Sequence, residues 1–273
     1  MKRYHTSFPS WVRGVDSPRP LIFKMQKFFT LTICLIIVLT NNLYSQNISP
    51  LYDFFYIIKS PFNTEKNNIK LISIFSATTI SLFLVDENIK NYVQKNKSKQ
   101  FENFLFYPEK MGDGRYILGL SGIFILSGLT FNDKKILKLG IYATETFFIS
   151  GTLVSFIKFI TGRARPYTEK GSFYFEPFNN KTAYTSFYSG HTTVAFAFAS
   201  TISHFTKNIY ISSFLYAVAT LVGIQRIYSN AHYSSDVFAG AFIGILIGKK
   251  VIELNEANCK SEEVKIVLWK KKI

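Results

Sequence analysis

The residues able to do chemistry fall in three short clusters of the C-terminal half. The first is KFITGRARP, residues 158–166. Read as helix, it sets Lys158 and Arg165 two turns apart on one face, and Pro166 marks the helix exit. Two cations at a helix rim suit an anion. The second is Ser189-Gly190-His191, directly before an apolar run. Serine caps helix N-termini, glycine admits close backbone approach, and the free N–H groups there bind phosphate. His191 would stand in the first turn beside that anion. The third cluster covers residues 226–236. Asp236 lies one helical turn after His232, so its carboxylate can accept from one imidazole nitrogen, fix the tautomer and leave the other nitrogen free to attack. Arg226 adds a forked donor suited to phosphate oxygens.

Each cluster alone has an ordinary structural reading. Lys158 and Arg165 could be snorkelling side chains at a helix end. Ser189 to His191 could be a capped helix with an incidental histidine, and residues 226–236 a polar loop. Their placement relative to one another weighs against this. A loop joins the first cluster to the second, and two helices, out and back, join the second to the third. All three therefore fall at one end of a helical array.

The elements that must hold them are apolar runs at residues 69–85, 116–131, 136–160, 191–205, 209–224 and 235–252. They are too long for strands and lack alternation. They predict an all-α fold, a six-helix bundle embedded in a membrane. Ala239, Gly240, Ala241, Gly244 and Gly248 allow close helix contact in the last run. Residues 86–115 are polar and Lys-rich, an amphipathic helix or a loop, and residues 161–188 form a polar, aromatic loop. Glu145, inside an apolar run, is expected to have a structural partner, and His204 to be structural. Arg163 reads either as an anchor for an anionic headgroup or as an interfacial side chain. Tyr228 and Asn230 are expected near the mouth of the site.

Charge is strongly basic, 32 Lys+Arg against 17 Asp+Glu. The bases gather between apolar runs and at Lys270, Lys271 and Lys272, a membrane-flank pattern. No basic patch interleaved with stacking aromatics is visible, so nucleic acid is not an expected partner. Cys34 and Cys259 can form neither a disulfide framework nor a zinc site. Residues 25–46 read as a secretory signal, with Lys27 as the positive region and residues 28–39 as the apolar region; the alternative is an uncleaved anchor. Met25 is well placed as a start, which makes residues 1–24 either an upstream extension or an ordinary tail. Residues 47–68 would be a linker, 69–252 the helical domain and 253–273 a basic tail.

The combined pattern resembles the type 2 phosphatidic acid phosphatase and vanadium haloperoxidase superfamily. Its K-x6-R-P matches Lys158 to Pro166. Its P-S-G-H matches Tyr188 to His191, and its S-R-x5-H-x3-D matches Gln225 to Asp236. Tyr188 stands for the usual proline and Gln225 for the usual serine. The resemblance covers residues 136–252. It implies that His232 attacks phosphorus to form a phosphohistidine, that Asp236 orients His232, and that His191 protonates the leaving oxygen and then helps activate water. Lys158, Arg165, Ser189, the Gly190 backbone and Arg226 would hold the phosphoryl oxygens. Three cations can take the place of a metal ion, so neither metal nor cofactor is expected. The implied substrate is a lipid phosphate monoester or pyrophosphate at a membrane. A soluble periplasmic acid phosphatase, a vanadate-dependent haloperoxidase and a non-catalytic anionic-lipid binder are the alternatives.

Positive-inside counting puts the Lys-rich C-terminus, Lys134, Lys135, Lys138 and Lys207 in the cytoplasm, so the site faces outward, toward the periplasm of a bacterial-type inner membrane. That arrangement places residues 90–99, also Lys-rich, on the outer side.

Overall fold

The computed structural model describes residues 66–270, with side-chain surroundings for residues 69–257. The signal or anchor at 25–46, the extension at 1–24 and nearly all of the linker lie outside the described residues. Helices follow one another as α1 (Lys66–Lys95), α2 (Lys99–Glu109), α3 (Gly114–Thr130), α4 (Lys134–Thr161), α5 (Gly190–Thr206), α6 (Ile209–Tyr228) and α7 (Ser234–Lys270). All six expected helices are present. The addition is α2, a short helix whose Leu105 is buried. No strand occurs among the described residues.

Local sequence sets the helix starts. Asp113 accepts from the Arg115 N–H ahead of α3, Asp133 from Lys135 and Ile136 ahead of α4, and Asn208 from Tyr210 and Ile211 ahead of α6. Each side chain satisfies N–H groups that a helix leaves without an internal acceptor. At its far end α4 stops at Gly162, which takes a left-handed φ of 59°. A Cβ there would lie 1.7 Å from the Glu176 carbonyl oxygen. Only glycine permits both the turn and that approach.

The core centres on α5, which lies against α4, α6 and α7. One contact is backbone to backbone. A Cβ on Gly240, Gly244 or Gly248 of α7 would meet the carbonyl oxygens of Ser189, Thr193 and Ala197 at 2.7, 2.5 and 2.4 Å. Around this seam Phe147, Phe148, Val194, Phe198 and Ile202 form one buried cluster, and Tyr142, Ile149, Ile247, Val251 and Ile252 another. Each such side chain contributes about 1.5–3 kcal/mol on burial. Outer faces stay apolar too: Ile74, Ile80 and Leu84 on α1, Leu126 on α3, and Tyr210 and Phe214 on α6 are exposed. Among the described residues, three helical segments can cross a membrane by length and composition: Ile69–Lys95, Lys134–Thr161 and Ile209–Tyr228.

Two boundaries differ from the sequence expectation. The first helix does not end at 85 but continues to Lys95, because Asp86 turns inward to a buried partner. The expected tail after 252 stays helical to Lys270. Chain direction brings the end of α4, the start of α5, the end of α6 and the start of α7 together. Asp86 of α1 and Glu109 of α2 reach the same end. Lys134, Lys135 and Lys207 lie at the opposite helix ends. The basic stretch 90–99 is on the site side. There Lys90 pairs with Glu87 at 2.8 Å and Glu169 at 3.2 Å, and Lys97 lies over the Tyr228 ring.

Candidate active site

Lys158 projects from the last turn of α4, and its Nζ donates to the Thr185 carbonyl at 2.8 Å. Arg165 does not share a helix face with it, because α4 has already ended at Gly162. The sequence expectation is corrected here: the two cations meet through the loop. The Ala164 N–H donates to the Tyr174 carbonyl and the Arg165 N–H to the Ala183 carbonyl, at 2.9 and 2.8 Å. Arg165 Nη2 then donates to Thr185 Oγ1 at 3.2 Å. Thr185 thus holds both cations, one by its backbone and one by its side chain.

Ser189 occupies the N-cap position of α5, but its hydroxyl does not cap. It is buried and shares a hydrogen bond with Thr192 Oγ1 at 2.8 Å. The Ser189 N–H donates to the Asp236 carbonyl at 3.0 Å, which ties α5 to α7. A Cβ on Gly190 would lie 4.0 Å from Lys158 Nζ, so the ammonium sits beside the first N–H groups of α5. His191 follows in the first turn, packed under the short 3-10 turn Lys110–Gly112. A Cβ on Gly112 would come within 2.9 Å of His191 Cβ.

The last turn of α6 carries Arg226, whose Nη1 pairs with Glu109 Oε1 at 2.6 Å. The chain then folds back. Asn230 takes a φ of 60°, and the Arg226 carbonyl accepts from the N–H groups of Ala231 and His232 at 3.1 and 3.2 Å. His232 is thereby buried with its Nδ1 3.7 Å from Asp236 Oδ2. That is longer than a hydrogen bond, and Nδ1 has no other partner among the described residues. Burial, reinforced by the Lys158 and Arg165 charges and opposed by Asp236, holds the His232 pKa well below the usual histidine range. The imidazole is therefore held in its neutral form at physiological pH.

Asp236 is fixed from several sides. Its Oδ1 pairs with Arg163 Nη1 at 2.6 Å, and its Oδ2 accepts from Ser186 Oγ at 2.5 Å and the Tyr233 N–H at 2.9 Å. Arg163 is fully buried, which overturns both its headgroup-anchor and its interfacial readings. It also pairs with Asp86 at 2.8 Å and donates to the Ser172 carbonyl at 2.9 Å. The Tyr228 hydroxyl is engaged with the Ser98 backbone. Glu145 accepts from Asn255 at 3.0 Å, and His204 lies against the Ser200 carbonyl within its own helix.

Every site residue singled out in the sequence reaches one end of the bundle. The charges of Lys158, Arg165 and Arg226 act on one another and on His191. Arg165 Nε and Arg226 Nε are buried without a partner among the described residues. Three cations with donors to spare, the open start of a helix and a neutral buried histidine make a cradle for a multiply charged anion. Sequence reasoning missed Asp86, Glu109, Thr185 and Ser186. Asp86 carried a usable signal, the first of two adjacent acids that close a long apolar run. Among the described residues no group of three or more His, Cys, Asp or Glu is placed to hold a metal ion.

An all-helical bundle with such a cradle at one end defines a class, and comparison with known proteins agrees. Residues 139–258 match the family model of the PAP2 superfamily. Over 108 residues, 39% of this chain, it is 38% identical to a protein of Rhizobium etli named lipid A 1-phosphatase, covering 46% of it. A Porphyromonas gingivalis protein of the same name is 28% identical over 199 residues, 71% of this chain and 39% of that protein. The chain thus spans less than half the length of either relative. The crystal structure of Aquifex aeolicus LpxE shares the fold at a TM-score of 0.50 and 24% identity, covering 62% of this chain and 95% of that one.

Proposed function

We propose that this protein is an integral-membrane phosphatase that removes a phosphate from a lipid monoester or pyrophosphate through a phosphohistidine on His232. The observation that carries the reading is the convergence of Lys158, Arg165 and Arg226 around a buried, neutral His232 that faces Asp236. Phosphoryl transfer needs positioning and charge stabilisation more than covalent help from the protein, and the three cations supply both without a metal ion. His232 attacks phosphorus as the bond to the leaving oxygen breaks, and His191 donates the proton that oxygen takes up. Burial and then the Arg226, Lys158 and Arg165 charges hold the His191 pKa down to about 3, so that proton must arrive with the negatively charged phosphate. His191 then removes a proton from the water that attacks the phosphohistidine, releasing phosphate and restoring His232. Ser189, the Gly190 N–H and the cations hold the phosphoryl oxygens throughout.

The names of the Rhizobium and Porphyromonas relatives support lipid A 1-phosphate as the first substrate to assay, ahead of phosphatidic acid, phosphatidylglycerol phosphate and polyprenyl pyrophosphates. Purified protein in detergent should release phosphate from at least one of these with a chelator present. Loss of activity on chelation that magnesium restores would overturn the metal-free mechanism. Halide oxidation with vanadate and peroxide, without phosphate release, would favour the haloperoxidase reading.

The bundle's apolar outer faces support a membrane location, with the site toward the periplasm and Lys134, Lys135 and Lys207 toward the cytoplasm. Single cysteines at Tyr174 and Lys207, in a chain lacking Cys34 and Cys259, test the orientation in intact spheroplasts. An impermeant maleimide should label position 174 and spare position 207. Release of the whole protein by osmotic shock would establish the soluble alternative.

A further inference from the structure

We infer that Arg163, backed by Asp86, is a positioning residue that fixes the Asp236 carboxylate against His232. The inference rests on the reading of His232 as nucleophile and adds a residue pair that touches neither substrate nor the reacting atoms.

Arg163 lies between two carboxylates in a fully buried ion triad, at 2.6 Å from Asp236 Oδ1 and 2.8 Å from Asp86 Oδ2. Its Nε donates to the Ser172 carbonyl and its Nη1 also to Ser235 Oγ at 2.7 Å. The rings of Phe83 and Tyr233 lie 4.0 and 4.5 Å from the guanidinium carbon. The side chain has no freedom left to reach a substrate anion. Its bond to Oδ1 instead decides how the Asp236 carboxylate is turned. With Oδ1 pinned, Oδ2 is the oxygen presented to His232 Nδ1, and Ser186 Oγ and the Tyr233 N–H hold it there.

Asp86 completes the device. It balances the second half of the guanidinium, and its Oδ1 accepts from Ser234 Oγ at 2.6 Å and from the Ser235 N–H at 2.9 Å. It therefore anchors the first turn of α7, from which Asp236 projects. As His232 attacks phosphorus, its ring becomes positive, and the Nδ1–H must find Asp236 across the present 3.7 Å. A carboxylate already held in place meets that proton without reorganising. A carboxylate free to rotate would not.

A purely structural cross-link between α1, the 162–189 loop and α7 would explain the same contacts, so the test must read the route through Asp236. Arg163→Ala would strand two buried carboxylates, and the test therefore uses Arg163→Lys and Asp86→Asn, each alone and combined with Asp236→Asn. Full-length protein in detergent micelles is assayed on p-nitrophenyl phosphate and on the lipid phosphate that the wild type turns over fastest. Arg163→Lys should lower kcat about 10- to 100-fold, the range for partners that orient a functional histidine. Inhibition by inorganic phosphate should stay at the wild-type level, because Arg163 does not touch the anion. In the Asp236→Asn background the same change should cost little more, since its route is already cut. Asp86→Asn should show the same pattern at smaller amplitude, and it decides the matter if Arg163→Lys does not fold. Losses that simply multiply, an unchanged kcat, or a weakened phosphate inhibition would overturn the inference. His232→Ala keeps the two claims apart. Turnover retained there defeats the nucleophile assignment itself. An inactive His232→Ala beside an unimpaired Arg163→Lys removes only the positioning role.

Discussion

Two groups of buried charge lie at the same end of this bundle, and they are built differently. In the first, Arg163 faces Asp86 and Asp236, and the guanidinium is matched by acceptors at 2.6–2.9 Å. In the second, Lys158, Arg165 and Arg226 share Glu109 and two oxygens of Thr185, with Arg165 Nε and Arg226 Nε left over. A buried charge is tolerated when paired and hydrogen-bonded, and it is costly otherwise. The closed group therefore serves the fold and the placement of Asp236. The open group holds donors that an anion can satisfy, at a cost the rest of the bundle carries. Burial of an arginine thus says little about its role until its acceptors are counted.

The largest effect should come from the residue that stands between the two groups. His232→Ala should lower turnover by about 10⁴-fold or more, the scale seen when a nucleophile is deleted from a concerted site. Its affinity for inorganic phosphate should survive, because the cations remain. Single-turnover assays and phosphate inhibition measure the two separately. Wild-type turnover in this variant would break the division of labour at its centre.

Next comes stability. Arg163→Ala should destabilise by about 3–5 kcal/mol, the range for removing one partner of a buried ion pair. Arg165→Ala removes a cation from a group of like charges, and it should leave thermal unfolding in detergent close to wild type. Its loss should appear instead as phosphate inhibition weakened by about 10- to 100-fold, corresponding to the roughly 1.5–3 kcal/mol of a hydrogen bond to a charged group. If both variants melt alike, the contrast between closed and open groups is wrong.

A smaller effect belongs to the seam that holds both groups in register. Gly244 faces the Thr193 carbonyl so closely that a Cβ would sit 2.5 Å from it. Gly244→Ala must push α7 away from α5, at a cost of about 1–3 kcal/mol. Because Ser189 and Asp236 lie at one end of that seam, turnover should fall with stability. Gly119→Ala, where a Cβ would meet nothing within 4 Å, is the matched control and should leave turnover unchanged and stability equal or higher by up to about 1 kcal/mol.

The sequence disclosed the open group more readily than the closed one, for a physical reason. Lys158, Arg165, His191, Arg226, His232 and Asp236 sit at helix ends, where apolar periodicity breaks off and polar residues stand out. Their common end follows from counting helices. Arg163 is two residues before Arg165 in the same motif, and nothing local distinguishes an inward from an outward arginine. The difference is made by Asp86, which lies 77 positions away in sequence. Asp86 in turn looked like the start of a polar segment, because the acid that ends an apolar run usually meets solvent. Ser189 shows the converse error. Its type and position predicted a cap, yet its hydroxyl is taken by Thr192. The two-turn spacing of Lys158 and Arg165 failed for a local reason, since Gly162 ends the helix between them. Long-range pairing and a turn inside a motif are what single-residue patterns do not carry.

The smallest expected effect concerns protons on His232, and it tests whether the site is as closed as its geometry implies. Burial first, and then the Lys158 and Arg165 charges, hold the His232 pKa below the ordinary value, while Asp236 works in the opposite direction. In the unfolded chain the ring titrates near 6.5. Above that pH neither state holds the proton, and His232 adds no pH dependence. As pH falls below it, the unfolded state binds a proton that the folded state refuses, so stability declines toward the lowered folded value. The slope from this one group is at most about 1.4 kcal/mol per pH unit. His232→Gln removes the titrating ring while keeping a polar side chain of similar length. Thermal unfolding of wild type and His232→Gln, followed from pH 7.5 to pH 5, should diverge only below about 6.5, with the wild type losing stability faster. Activity should show the companion behaviour. The acid limb of the wild-type rate profile should not fall at the ordinary histidine pKa on account of His232, since the neutral nucleophile persists below it. Parallel melting curves for the two proteins would mean that His232 takes up its proton in the folded state as readily as in water. The Lys158 and Arg165 charges would then be too well screened to form the dry cradle on which the comparison of the two groups depends.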